Sequence, residues 1–274
     1  MALNSVNTNS GALVALQNLQ ATNSELATVQ SRINTGKKVN NAKDNGAVWA
    51  IAQGQRSEIS ALGAVKDSLA RGSSAVDVGL AAGESVSDLL SQLKEKALAA
   101  TDKSLSTASR SALNEDFKSI RDQITTVVNN ASFNGVNMLS ATTGFSALSN
   151  TTGSTLRVKG EILSLGGANV TVAATTTIGT STLATTALGL VNASIDKVSA
   201  SLARLGTGAK SLDTHATFVG KLSDALENGV GNLVDADLAK ESARLQSLQT
   251  KQQLGVQALS IANQSTSVLL GLFR

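Results

Sequence analysis

The side chains able to do acid–base or nucleophilic chemistry in this 274-residue chain are few and scattered. His215 is the single imidazole, in the stretch Asp213-Thr214-His215-Ala216. A catalytic triad needs a base, a nucleophile and an acid that converge in space, and one helical stretch around His215 gathers no such set. Asp235 and Asp237 form a carboxylate pair, but two acids just ahead of a periodic Leu-containing run read as helix N-terminal capping and charge. With no cysteine, disulfides, iron–sulfur clusters and thiolate zinc sites are excluded, and one histidine excludes a multi-histidine metal centre. Gly63, Gly72, Gly79 and Gly83 lack the spacing of a phosphate loop, and the sequence holds no H-E-x-x-H. No enzyme, metal site or cofactor is expected.

Composition narrows the binding classes as well. The chain carries 5 Phe, 1 Trp and no Tyr, too few rings for the stacking platforms that grip nucleic acid. Its net charge of +3 is spread along the sequence, without the clustered Lys and Arg of a nucleic-acid footprint. Length alone gives about two domains as a prior, at ~150 residues each. Residues 1–24 are uncharged but have no basic n-region followed by an apolar h-region, so they do not read as a secretory signal. Residues 252–273 are also uncharged, yet Gln252, Gln253, Gln257, Asn263 and Gln264 make them too polar to span a bilayer. Neither nucleic acid nor membrane is an expected partner. Disordered tails are usually charged and poor in Leu; these uncharged ends are rich in it.

Periodicity supplies the elements. From Val191 an apolar series runs through Ile195, Val198, Leu202, Leu205, Ala209, Leu212, Ala216, Val219, Leu226, Val230 and Leu233, with Ser223 its polar member. Apolar residues alternating at three and four over about six heptads argue for a long supercoiling helix. At 1.5 Å per residue, roughly 43 residues would span about 65 Å. A second series starts one residue later, from Val234 through Leu238, Leu245, Leu248, Leu259, Ala262, Leu269 and Phe273, which places a junction near Val234. Leu62, Leu69, Val76, Gly83, Leu90 and Ala97 recur every seven, beside Val65, Gly72, Gly79, Val86, Leu93 and Ala100. The glycines there weaken a helix by about 1 kcal/mol each relative to Ala but permit close approach. Leu113, Phe117, Ile120, Ile124, Val127 and Ala131 make a shorter third segment, and Ala12, Leu19, Leu26 and Ile33 repeat every seven near the start, with Leu16 and Val29 adjacent.

The middle differs in kind. Residues 140–189 are rich in Thr, Ser, Gly and Ala, and Glu161–Leu165 with Asn169–Ala173 around Gly166-Gly167 read as a short hairpin. The expected fold is mainly α: an elongated antiparallel long-helix coiled-coil rod with a small β-hairpin-containing insertion. Residues 1–40 and 235–274 are expected to pair as terminal helices, 41–139 and 190–234 to form the long-helix rod, and 140–189 to form the Ser/Thr/Gly-rich surface region.

Several stretches resemble bacterial flagellins. Ile33-Asn34-Thr35-Gly36-Lys37-Lys38-Val39-Asn40-Asn41-Ala42-Lys43-Asp44 is similar to the family's N-terminal turn. Phe133-Asn134-Gly135-Val136-Asn137-Met138-Leu139 is similar to the segment that ends its third helix. Asp235-Ala236-Asp237-Leu238-Ala239-Lys240-Glu241-Ser242 and Gln257-Ala258-Leu259-Ser260-Ile261-Ala262-Asn263-Gln264 resemble its C-terminal signature. The likeness covers residues 1–140 and 190–274. Where the family has a proline after Asn-Gln, this chain has Ser265-Thr266.

The resemblance implies a structural subunit that polymerises into the filament of the bacterial flagellum, a secreted and extracellular assembly serving swimming motility. The alternative within the same superfamily is a hook–filament junction protein, whose simple reading is weakened here by the short middle. The implied partners are further copies in a helical homopolymer, a flagellar export chaperone, the type III export apparatus, and the filament cap and junction proteins. The self-assembly and chaperone interface falls on Leu16, Leu19, Leu26, Ile33, Leu238, Leu245, Leu248, Leu259, Ala262, Leu269 and Phe273. Zero Pro and zero Cys suit export as an unfolded chain, since proline isomerisation takes tens of seconds. An isolated amphipathic helix is marginal in water, so both ends are expected to stay unfolded in a lone chain and to fold on their neighbours.

Overall fold

The computed structural model describes residues 8–271, with side chains described as far as residue 264. The described chain runs through helices α1 (Ser10–Thr35), α2 (Gly46–Ala100) and α3 (Thr107–Asn130), strands β1 (Ser132–Phe133), β2 (Val136–Asn137), β3 (Phe145–Leu148) and β4 (Thr155–Val158), then helices α4 (Ser181–Val234) and α5 (Leu238–Gly271). The fold is mainly α, with β1–β2 and β3–β4 as small antiparallel ladders. The chain forms two compact units, one of Met1–Ser57 with Ala225–Arg274 and one of Glu58–Asp224.

In the larger unit the heptad residues of α2 are the core. Leu62, Val65, Leu69, Gly72, Val76, Gly79, Gly83, Val86, Leu90, Leu93, Ala97 and Ala100 are all buried. Val191, Val198, Leu205, Leu212 and Val219 of α4 are buried too. A Cβ on Gly72 would meet Leu212, and one on Gly83 would meet Leu202, so α2 and α4 run antiparallel with their backbones close. Ser194 and Ser201 sit buried in the α4 seam and return their hydroxyls to Leu190 and Lys197 carbonyls one turn back (2.7 and 2.9 Å). That local bond removes the cost of burying an unpaired hydroxyl.

α3 and its C-cap bury Phe117, Ile124 and Ala131 as the spacing predicts, but Leu113, Ile120 and Val127 only in part, their neighbours Asn114, Arg121 and Val128 being buried instead. The cause is polar. Asn114 Oδ1 accepts the Ile178 N–H at 2.8 Å, and Arg121 Nη1 donates to the Thr176 carbonyl at 2.9 Å, tying the loop after residue 170 to the helix. Hydrophobic periodicity is blind to such groups. The turn after α3 has Asn134 at φ 49° and Gly135 at φ 79°, two consecutive positive values that an Asn-Gly hairpin accommodates.

The hairpin of the middle region is elsewhere than expected. Residues 161–173 make one isolated parallel bridge, Leu165 to Val170, and no ladder. Their backbone groups are already engaged: Glu161 and Leu163 N–H donate to the Met138 and Leu139 carbonyls (2.8 and 2.9 Å), and Thr171 N–H to Ser194 Oγ (2.9 Å). The ladder forms instead between β3 and β4, where Asn150 Oδ1 accepts the Thr152 and Ser154 N–H groups (3.1 and 2.9 Å) and closes the turn. Residues 181–189, expected in the surface region, are the first turns of α4.

Glu161 fastens this region to α4. Arg204 Nε and Nη2 both reach its carboxylate at 2.7 Å, with Asn169 a third donor at 3.3 Å. The Arg204 hydrogen bond holds the Glu161 carboxyl below the ordinary 4.5 against the opposing effect of burial. A depressed folded value means stability present above the unfolded value and lost as the pH falls through the folded one. Glu161→Gln is expected to cost about 1 kcal/mol at pH 7, given that Arg204 is half exposed; in urea titrations its difference from the parent should shrink on acidification below about pH 4.5. Glycines two residues apart on α4 give a second check. A Cβ at Gly206 meets nothing within 4 Å, whereas at Gly208 it falls 2.5 Å from Cγ1 of the stiff, buried Val158. Gly206→Ala should stabilise by up to about 1 kcal/mol and Gly208→Ala should destabilise by roughly 1–2 kcal/mol, so their melting temperatures should move in opposite directions.

Candidate assembly surface

The smaller unit brings the chain's two ends together. Asn9 Nδ2 donates to the Ala262 carbonyl at 2.7 Å, Gln252 Nε2 to Asn23 Oδ1 at 2.8 Å, and Arg244 pairs with Glu25 at 3.3 Å and Arg32 with Glu241 at 3.1 Å. Rising numbers on α1 meet falling numbers on α5, so the helices are antiparallel. Each has a reason to start or stop. The Asn9 side chain caps α1 through the Ala12 N–H (2.9 Å), and Gly36 ends it with φ 68°. Asp237 Oδ1 accepts the Lys240 N–H (3.1 Å) and caps α5.

The turn after α1 and the link before α5 are stitched by backbone. Lys38 N–H donates to the Val234 carbonyl at 2.8 Å and Ala236 N–H to the Gly36 carbonyl at 2.9 Å. Asp44 Oδ2 accepts the Asn40 and Asn41 N–H groups (2.9 and 3.1 Å) and holds the turn's shape. The stretches 33–44 and 235–242, which sequence singles out separately, are thus hydrogen-bonded partners. Glu241 is mostly buried, and its Oε2 and the Arg32 Nε remain without a hydrogen-bond partner.

The expected interface residues divide by exposure. Leu248 is 4% exposed and packs into the pair with Val29. Leu19, Leu26, Ile33, Leu245, Leu259 and Ala262 are half-buried, with Leu19 lying over Gly255. Leu16 and Leu238 are exposed. Leu269 lies outside the residues whose side chains are described, and Phe273 outside the described residues altogether. The spacing rule overlooks a second apolar set, Leu13, Val14, Leu254, Val256 and Ile261, all left in solvent, with Ile261 at 68% and Leu254 at 59%. The run Ala12-Leu13-Val14-Ala15-Leu16 is the signal for it, because five apolar residues in succession surround a helix instead of striping it.

The described parts of both ends are helical and lie paired with one another, each supplying the apolar stripe that the other lacks.

Among the described residues, no group of three or more His, Cys, Asp or Glu is placed to hold a metal ion, and no helix is long and apolar enough to cross a membrane. His215 lies in the larger unit with Nε2 2.7 Å from the Ser149 carbonyl and its ring tilted on Phe218 at 5.8 Å.

Paired helices from both ends of a chain, with apolar surface to spare, define a protein built for helical self-association. Residues 6–143 match the bacterial flagellin N-terminal helical region and residues 188–273 the bacterial flagellin C-terminal helical region. The flagellins FljM and FljK of Caulobacter vibrioides are 60% and 58% identical to this chain, with all of each chain covered. A flagellin of Brucella melitensis is 36% identical over 98% of this chain and 99% of its own length. A putative flagellar hook-associated protein from Vibrio parahaemolyticus has a similar fold, with TM-score 0.55 at 14% identity over 70% of this chain and all of that one. The chain belongs to the bacterial flagellin family, whose members are structural proteins.

The pairing itself is measurable in a single copy. Leu248→Ala is expected to destabilise the α1–α5 pair by roughly 2–4 kcal/mol, the range for truncating a buried leucine. Hydrogen exchange of α1 amides should accelerate in that variant while amides of α2 near Leu90 keep their protection.

Proposed function

We propose that this chain is the structural subunit of a bacterial flagellar filament, extracellular in the assembled state, and that copies join through apolar side chains that the α1–α5 pair leaves exposed. The observation that carries this reading is the exposed set Leu13, Val14, Leu254, Val256 and Ile261 on an already paired helix couple. Leu254 and Ile261, seven residues apart, share one side of α5, and apolar surface repeated along one side of a helix marks an interaction site. The uncharged stretches supply the second support: burying an unpaired charge among packed helices costs several kcal/mol, whereas Gln, Asn and Ser hydroxyls and amides satisfy one another. Contacts between unlike patches on successive copies grow an open helical polymer when the rotation between copies does not close a ring. In that polymer α1 and α5 form the paired terminal helices, residues 41–139 and 181–234 the rod, and 140–180 the surface region.

Of the expected assembly residues, Leu16 and Leu238 are exposed and reach a second copy directly, Leu19, Leu26, Ile33, Leu245, Leu248, Leu259 and Ala262 serve assembly by holding α1 against α5 within each copy, and Leu269 and Phe273 complete the proposed set. Before assembly an export chaperone holds 235–274 in an apolar groove, around Leu245, Leu248, Leu259 and Leu269, in the manner of an amphipathic helix laid in a cleft. The type III export apparatus passes the unfolded chain, and cap and junction proteins bound the polymer at its ends. A junction role for this chain itself is not favoured, given relatives of 58–60% identity over the full length that are named flagellins.

Seeded polymerisation followed by electron microscopy tests the reading. The full chain is expected to extend filament seeds into long tubes, and a chain lacking residues 252–274 to leave them unextended. Leu254→Asp and Ile261→Asp, at positions exposed in one copy, should leave monomer stability within about 0.5 kcal/mol yet block extension. Equal growth by the truncated chain would defeat the proposal.

A further inference from the structure

The larger unit carries its own unlike pair of surfaces. On α4, Phe218 is 56% exposed and Leu222 stands one turn on at 36%. Phe218 borders a shallow apolar recess shared with Leu156 of β4, Thr214 and His215. Lys210 and Lys221 flank Phe218 on its solvent side, while Asp213 and Asp224 lie further round the helix. On the other side of α2, a groove of about 450 Å³ runs between α2 and α3, walled by Val78, Ala82, Val127 and Ala131 and edged by Ala81 and Ser85. Asp77, Glu84 and Asp88 rise along the same α2 edge, one row beyond Ala81. None of these three acids and neither lysine takes part in an ion pair among the described residues.

We propose that the α2–α3 groove of one copy receives Phe218 of a second copy, with Lys210 and Lys221 facing the Asp77, Glu84 and Asp88 rim. This rests on the polymer reading above and names a lateral contact within it, separate from the terminal helices. Several features favour a second copy as the occupant. The groove is shallow and lined chiefly by small and apolar side chains, against which a ring can lie, and a phenylalanine buries ~150–250 Å² when it is covered. The rims have opposite charge, which sets register and discourages other arrangements.

The two patches also cannot meet within one copy. Gly72 faces Leu212 and Gly83 faces Leu202, so Phe218 falls level with α2 near residue 66. The groove centre near Ala82 is then about 23 Å further along α2 at 1.5 Å per residue. An offset contact between unlike faces can repeat from copy to copy along a polymer.

The absence of cysteine makes the test clean. The Ala82→Cys/Phe218→Cys double variant, grown from seeds and oxidised, is expected to give a ladder of covalent oligomers on a denaturing gel. The same variant kept monomeric, and filaments of either single variant, should give no ladder. Filaments that grow normally but yield no ladder overturn the contact while leaving the filament role intact. Failure of the unaltered chain to polymerise removes the filament role itself.

A charge exchange decides the matter independently if the cysteine variant does not grow. Lys221→Glu and Glu84→Lys should each raise the protein concentration needed for growth at low salt at least several-fold, and the two together should return it close to the parent value. Singles without effect, or a double variant no better than the singles, overturn the proposal.

Discussion

The α1–α5 pair is held by one stripe on each helix, and it is the limited width of that stripe on which the rest depends. Val29 and Leu248 are sealed between the helices while Leu13, Val14, Leu254, Val256 and Ile261 are not. Apolar surface buried in one copy stabilises the monomer at about 25 cal/mol per Å². Surface left over is stabilising only when another copy covers it. A wider stripe on one partner helix would have produced a self-sufficient hairpin of helices with nothing to offer a neighbour. The uncharged stretches 1–24 and 252–273 fit the same constraint, because uncharged polar side chains cost less to cover than charged ones.

The larger unit solves a different problem, which is to keep long helices straight and close with very few aromatic rings. Its means is the alternation of leucine and valine with glycine along α2. Gly72 and Gly83 bring the α4 backbone near, and Leu212 and Leu202 fill the space that absent side chains leave. Buried polar groups then fix what the apolar seam does not. Asn114, Arg121 and Glu161 each bind a particular carbonyl, N–H or guanidinium, so the irregular middle has one arrangement against α3 and α4.

Much of this was legible in the residue pattern, for a physical reason. Every α2 position in the predicted heptad seam is buried, because a long helix buried along one stripe is governed by a single repeating geometry. The break near Val234 was legible too, as a one-residue slip of the repeat; α4 ends there. Illegible were the features set by individual hydrogen bonds. On α3, Asn114 and Arg121 are buried in place of Leu113 and Ile120 because they are committed to a loop far along the chain. The hairpin forms at 145–158 because an Asx turn at Asn150 is available there, while residues 161–173 have their amides engaged elsewhere. The surface of the α1–α5 pair was half legible: spacing found the stripe shared by the two helices, and missed the exposed Leu13, Val14, Leu254, Val256 and Ile261.

The smaller unit is composed of Met1–Ser57 and Ala225–Arg274, so its first half leaves the ribosome long before its second. Closing so wide a separation carries an entropic cost and is slow compared with local helix growth. Until the last segment has emerged, α1 has nothing to zip against, and the Gly36 and Lys38 backbone groups have no Ala236 or Val234 to bond. Chain connectivity thus acts as a timer. The smaller unit therefore closes only once residues 238–271 are available to pair with α1.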